Sequence, residues 1–128
     1  MKVKQVVVST YAALFIFFGI AALVSPILIS NVINFDLQTP AAKMEFMATY
    51  GGLFLGIGFF MLHCVKSNTH LGLVCVLLTM GAMLLSRVLG AFYFGGVDII
   101  QTIYIGGELF TTLLITFLLY KYRSAQSA

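Results

Sequence analysis

Four apolar runs dominate the chain, at about residues 6–29, 45–65, 70–94 and 99–120, and polar residues gather in the short segments between them. Each run reaches roughly 20 residues, the length a helix needs to cross a ~30 Å hydrocarbon core. Lipid offers no water to unpaired backbone groups, so spans in so short a chain must be helices. Thr39-Pro40 reads as an N-cap followed by proline at the first helical position, which starts the second helix ahead of its apolar run. The expected helices are therefore about 6–29, 40–65, 70–94 and 99–121, in a single domain of residues 1–128. The links at Lys66 to Thr69 and at Gly95-Gly96 are short, which makes successive helices antiparallel. The predicted fold is all-α: an integral membrane four-helix up-down-up-down bundle. The longer connection, Ser30 to Met44, follows Pro26, which loosens the end of the first helix, and holds the turn formers Asn31, Asn34 and Asp36.

Composition closes off the alternatives. The 128 residues are 61% hydrophobic and 9% charged, with a mean hydropathy of +1.07. Soluble domains run about 45–50% apolar and about 25% charged, so a soluble fold is excluded, and a disordered chain with it. The first apolar run exceeds the ~7–15 residues of a signal-peptide core, so it reads as a retained helix despite Lys2 and Lys4 before it. Charge sets the orientation. Lys2, Lys4, Lys66, Lys121 and Arg123 fall on one side of four spans, while Lys43 shares the other with Asp36, Glu45 and Asp98. The positive-inside rule then places both termini in the cytoplasm. The net charge of +3 comes from scattered residues without a basic stripe, so no nucleic-acid partner is expected. Cys64 and Cys75 form no CxxC pair and read as small packing residues.

Charges inside lipid are costly and mark candidate functional positions. Arg87 and Glu108 lie within the third and fourth helices, and Glu45 stands at the mouth of the second. At about 100° per residue, Gln101, Tyr104, Glu108, Thr111 and Thr112 share one arc of helix four. Glu45, Thr49, Gly52, Gly56 and His63 share a stripe of helix two by the same count. Gly72, Val76, Met80, Met83, Arg87, Gly90 and Ala91 group on helix three. These faces are expected to meet inside the bundle. At 1.5 Å per residue Arg87 lies about 10 Å from Phe94, and Glu108 about 14 Å from Ile99. The candidates for binding a ligand or carrying a proton are Glu45, Arg87, Glu108, Tyr104, Gln101 and Thr49. Glu108, the deeper acid, is the one expected to carry the proton, because leaving water disfavours its charged form. Arg87 can reach either carboxylate, and which one it pairs with stays open. A buried pair that merely holds helices in register is the competing reading.

Gly52-Leu-Phe-Leu-Gly56 is a GxxxG, and Ser86 with Gly90 a second small pair. Gly51, Gly52, Gly56, Gly90 and Gly107 are accordingly expected at close helix contacts, within the chain before between copies of it. A homodimer is the alternative. His63 and His70 flank the inner turn, too far out for a haem, and no metal or cofactor is expected. No GxSxG, P-loop or HExxH occurs, and no nucleophile–base pair supports an enzyme.

The stretch Lys43-Met-Glu-Phe-Met-Ala-Thr-Tyr-Gly-Gly-Leu-Phe-Leu-Gly-Ile-Gly, Ser86-Arg-Val-Leu-Gly through Gly95-Gly96, and Gly107-Glu-Leu-Phe110 resemble domain-of-unknown-function family 4345. These are small bacterial four-helix membrane proteins, and the resemblance covers nearly the whole chain. An acid before Tyr-Gly-Gly, an Arg-x-x-Gly and a late acid map onto Glu45, Tyr50-Gly51-Gly52, Arg87, Gly90 and Glu108. The family often carries Asp-Gly in its third turn, where this chain has Phe94-Gly95-Gly96-Val97-Asp98. The resemblance implies the inner membrane and the same charged positions, and no assigned activity. The expected function is binding or moving a small lipophilic or acidic solute in an outward-facing polar pocket. The alternative is an accessory membrane subunit whose buried charges lock its packing.

Overall fold

The computed structural model describes residues 3–124, with side chains through 121. Lys2 and Arg123, two of the charges that set the expected orientation, therefore lie outside the described residues or side chains. Every regular element described is helical. Four helical stretches are long and apolar enough to cross a membrane: Val3–Val24, Pro40–Ser67, Thr69–Phe94 and Ile99–Lys121. Large apolar side chains stand exposed along them, among them Phe17, Phe59, Leu78, Leu85, Phe110 and Phe117. Water would not tolerate so continuous an apolar surface, whereas lipid tails suit it. The chain divides into two compact units, Met1–Thr69 and His70–Ala128.

The first unit opens with α1 (Val3–Val24). The expected helix to residue 29 is interrupted at Ser25, whose φ of −138° and ψ of 66° leave the helical region. Pro26 is the cause. Its ring disfavours helical geometry in the preceding residue, and it has no N–H to continue the ladder. The same proline is well suited to a first helical turn, and α2 (Pro26–Val32) begins on it. Asn34, at φ 56°, ends α2 in the left-handed region that asparagine tolerates. The Phe35 N–H donates to Ser30 O at 2.8 Å and the Asn34 N–H to Asn31 O at 3.2 Å. That is the paired pattern of a Schellman end, with asparagine in glycine's usual place.

Thr39 caps the next helix as its sequence predicts. It is extended (φ −114°, ψ 155°), with Pro40 following. Its Oγ1 accepts from the Ala42 N–H at 3.1 Å. Then α3 (Pro40–Phe46) passes into a π-helical segment, Met47–Leu53, and on into α4 (Phe54–Ser67). Leu37, in the connection, is buried with Ala22 and Phe46, while Ile29, Ile33, Ala42 and Tyr50 pack around them. A ladder of rings continues from there: Phe46 stacks on Tyr50 at 4.7 Å, Tyr50 lies 5.5 Å from Phe54, and Phe54 lies 4.9 Å from Phe15 on α1.

Along α1 the buried positions Val8, Ala12, Phe15, Gly19 and Ala22 recur every three or four residues and form one seam. Small residues let the partner's backbone approach. A Cβ on Gly19 would fall 3.0 Å from Gly51 O, and one on Gly58 would fall 3.1 Å from Ala12 O.

In the second unit α5 (Thr69–Phe94) and α6 (Ile99–Ser124) are joined by a short turn. Gly95 adopts φ 71°, which a side chain would strain, and its N–H donates to Ala91 O at 3.0 Å. Asp98 then starts α6, its Oδ1 accepting from the Gln101 N–H at 2.7 Å. On α5 Gly72, Leu73, Val76 and Met80 are buried. On α6 the buried residues are Glu108, Thr111, Ile115 and Leu118, spaced by three and four.

Candidate functional site: Arg87 and Glu108

The faces read from helical spacing on α5 and α6 are the faces that leave the surface. Gly72, Val76 and Met80 are buried, and Met83, Arg87, Gly90 and Ala91 half-buried. Opposite sides of α5 carry exposed Leu71, Leu78, Leu85 and Leu89. On α6 Gln101, Tyr104 and Thr112 are half-buried, and Glu108 and Thr111 buried.

Arg87 gathers this polar group. Its Nε donates to Glu108 Oε1 at 2.8 Å, with side-chain exposures of 24% for the arginine and 7% for the acid. Its Nη1 donates to Gln101 Oε1 at 2.6 Å. Its guanidinium carbon lies 4.9 Å from the centre of the Tyr104 ring, which braces the cation from one side. Gln101 and Glu108 are two helical turns apart on α6, so one long side chain from α5 spans both. The open question of Arg87's partner is answered: it is Glu108.

Gln101 is itself held in place. Asp98 takes its backbone N–H, and Gln101 turns its carbonyl to Arg87, which can only donate. Asp98-Ile-Ile-Gln101 has the spacing of an N-cap followed three residues on by glutamine. That signal was available in the sequence and places Asp98 behind the site. Thr111 Oγ1 donates to Gly107 O and Thr112 Oγ1 to Glu108 O, each at 2.8 Å on its own helix.

Two binding capacities are left over. Arginine has five N–H donors, and the Glu108 and Gln101 bonds occupy two. Glu108 Oε2 is buried and has no hydrogen-bond partner among the described residues. An unsatisfied buried polar atom costs about 1–3 kcal/mol, more when charged, so such an atom calls for an occupant or a proton.

Glu45 and Thr49 belong to the first unit, Glu45 on α3 and Thr49 in the π segment, and both are exposed. Gly52, Gly56 and His63, expected on the same inward stripe, are exposed too. Glu45 stands before the π segment and Gly56 and His63 after it, yet all are exposed alike, so the stripe keeps one face through Met47–Leu53 and that face is not the packed one. The inward ridge of the second span is instead Gly51, Gly58, Met61 and Cys64. Of the glycines expected at close contacts, Gly51 is at one, where an added Cβ would collide with the Leu23 side chain. At Gly52, Gly56, Gly90 and Gly107 an added Cβ meets nothing within 4 Å. Gly19 and Gly58 make the approaches that the GxxxG spacing assigned to Gly52 and Gly56.

Neither curated proteins nor solved structures include a match to this chain. The family model described as Domain of unknown function (DUF4345) matches residues 3–119, which takes in Arg87, Gln101, Tyr104 and Glu108. With nearly all of its length covered by that model, the chain belongs to the DUF4345 family.

Proposed function

We propose that this multi-pass membrane protein binds, and moves, a small acidic or lipophilic solute at Arg87 and Glu108. The observation that carries the reading is the buried Glu108 Oε2 without a partner among the described residues, beside a guanidinium with unused donors. A pair that served only as glue would be expected to satisfy both carboxylate oxygens. In this reading Arg87 grips the solute's acceptor group, Gln101 and Tyr104 hold the guanidinium in place, and Glu108 handles a proton. The spans form an up-down-up-down bundle in the inner membrane with both termini cytoplasmic. The site then opens outward. The flanking Lys4, Lys66 and Lys121 support that orientation. A cytoplasmic reporter fused after Ala128 is expected to be active, and activity of an external reporter there would reverse the orientation. A homodimer would enlarge a solute path that one copy of 128 residues can hardly enclose.

The second reading is an accessory subunit in which the charges lock α5 to α6. The two hydrogen bonds that Arg87 makes to α6 favour it. Replacing both Arg87 and Glu108 with leucine separates the two. Exchanging a buried ion pair for packed apolar residues is often neutral or stabilising by about 1–4 kcal/mol. Under the binding reading the double variant keeps its abundance and helicity and loses function. Collapse of the double variant in the membrane would favour the lock.

A further inference from the structure

We infer that the site takes the monoanion of a carboxylic acid together with one proton, by an exchange in which the anion takes Glu108's place on Arg87. This rests on the proposed solute-binding role and specifies its substrate class and coupling. As the structure stands, the guanidinium and the Glu108 carboxylate form a neutral pair. Lipid-enclosed groups carry a heavy penalty for net charge, so the neutral balance must survive ligand binding. An incoming monoanion satisfies this if one proton arrives with it. The proton bonds to Oε2, the carboxylate oxygen that has no partner among the described residues. Oε1 then gives up its bond from Arg87 Nε, and the anion accepts from the guanidinium instead. The site begins as Arg⁺ with Glu⁻ and ends as Arg⁺ with the bound anion and a neutral Glu108. One O–H bond forms, with the proton drawn from solvent or from the acid itself, and no electrons are transferred.

The same accounting excludes other classes. A dianion would leave an uncompensated charge, and a cation would face Arg87. A carboxylate presents two coplanar acceptors to the guanidinium fork, a match that favours it over a spherical ion. Arg87 is 24% exposed and Glu108 7%, so the guanidinium is the group a ligand reaches first. The charged side chain that the second unit places at Glu108 is Arg87 on α5, and Tyr104 on α6 lies against the same guanidinium. A compact free acid and a fatty acid from the bilayer share this chemistry.

The test is calorimetric binding of benzoate and, separately, decanoate to the purified full-length protein in detergent, from pH 6 to 8. Benzoate stays ionised throughout, being a carboxylic acid with a pKa near those of Asp and Glu. Coupling to one proton weakens binding about tenfold per pH unit across this range. Titrations in two buffers of different ionisation enthalpy should return one proton taken up per anion. In Glu108→Gln the affinity becomes independent of pH and no proton is taken up, and in Arg87→Gln binding falls at least about 100-fold. Preference for benzoate marks a compact acid, and preference for decanoate a membrane-borne one. Binding without proton uptake would overturn the exchange and leave the solute-binding reading standing. Absence of binding by either acid would overturn both. The wild-type pH slope decides the matter even if a variant fails to fold.

Discussion

Gly58→Ala is expected to loosen the packing of α1 on the second span, and Gly56→Ala, two residues earlier, is its control. The added methyl at Gly58 would lie 2.7 Å from Ile16 Cγ1, 3.0 Å from Ile16 N and 3.1 Å from Ala12 O. Comfortable carbon contacts lie near 3.5–4.0 Å. Two of the three obstructing atoms are backbone and cannot rotate away, so α1 must retreat by roughly half an ångström along the seam of Val8, Ala12 and Phe15, stretching contacts that sit near that spacing. Overpacking of this kind costs about 1–3 kcal/mol. At Gly56 the methyl meets nothing within 4 Å. Both changes gain the same helical preference of alanine over glycine, about 1 kcal/mol, and it cancels in the comparison. Gly58→Ala should therefore be less stable than Gly56→Ala by about 1–3 kcal/mol. Equilibrium unfolding in mixed micelles, followed by far-ultraviolet circular dichroism, measures that difference. Equal stability, or the reverse order, would refute the close approach at Gly58.

Thr39→Ala should cost about 0.5–2 kcal/mol by removing the cap on Ala42 N–H, with Thr39→Asp recovering most of it, as read by the same unfolding assay and by exchange of that amide. Cys64 is buried and Cys75 half-buried. A small maleimide should therefore label Cys75 first and reach Cys64 only as the first unit opens, which mass mapping of the labelled peptides checks.

Sequence spacing brought Arg87 and Glu108 forward because charge in lipid is rare and each side chain must find a partner. With Leu on the outer faces of α5, the half-buried face carrying Arg87 stands out, and Glu108 repeats the phase of Gln101 and Tyr104 on α6. Thr39-Pro40 was legible for a local reason: a cap needs only its own residues and the next turn. The end of α1 was half legible. Pro26 announced a disturbance, but whether the chain stops or starts a new helix depends on packing, here that of Ile29 and Ile33 near Leu37. The polar stripe of the second span does not mark its inward face, because the side that packs on α1 presents glycine, Gly51 and Gly58, and spacing alone does not say which neighbour a face meets. GxxxG misled for a related reason. Spacing shows that two glycines share a face, and the identity of the neighbouring face decides whether anything approaches. Gly19 on α1 complements Gly51, and Ala12 complements Gly58, and those pairings cross the chain.

A ligand held by Arg87 and Glu108 should leave the membrane with the protein, and native mass spectrometry of the full-length protein, released without added solute, detects it. A bound small acid is expected in the wild type that disappears in Arg87→Ala and persists in Glu108→Gln, whose amide keeps the site neutral when the anion is bound. Wild type and Arg87→Ala carrying the same adducts, or none, would contradict that expectation.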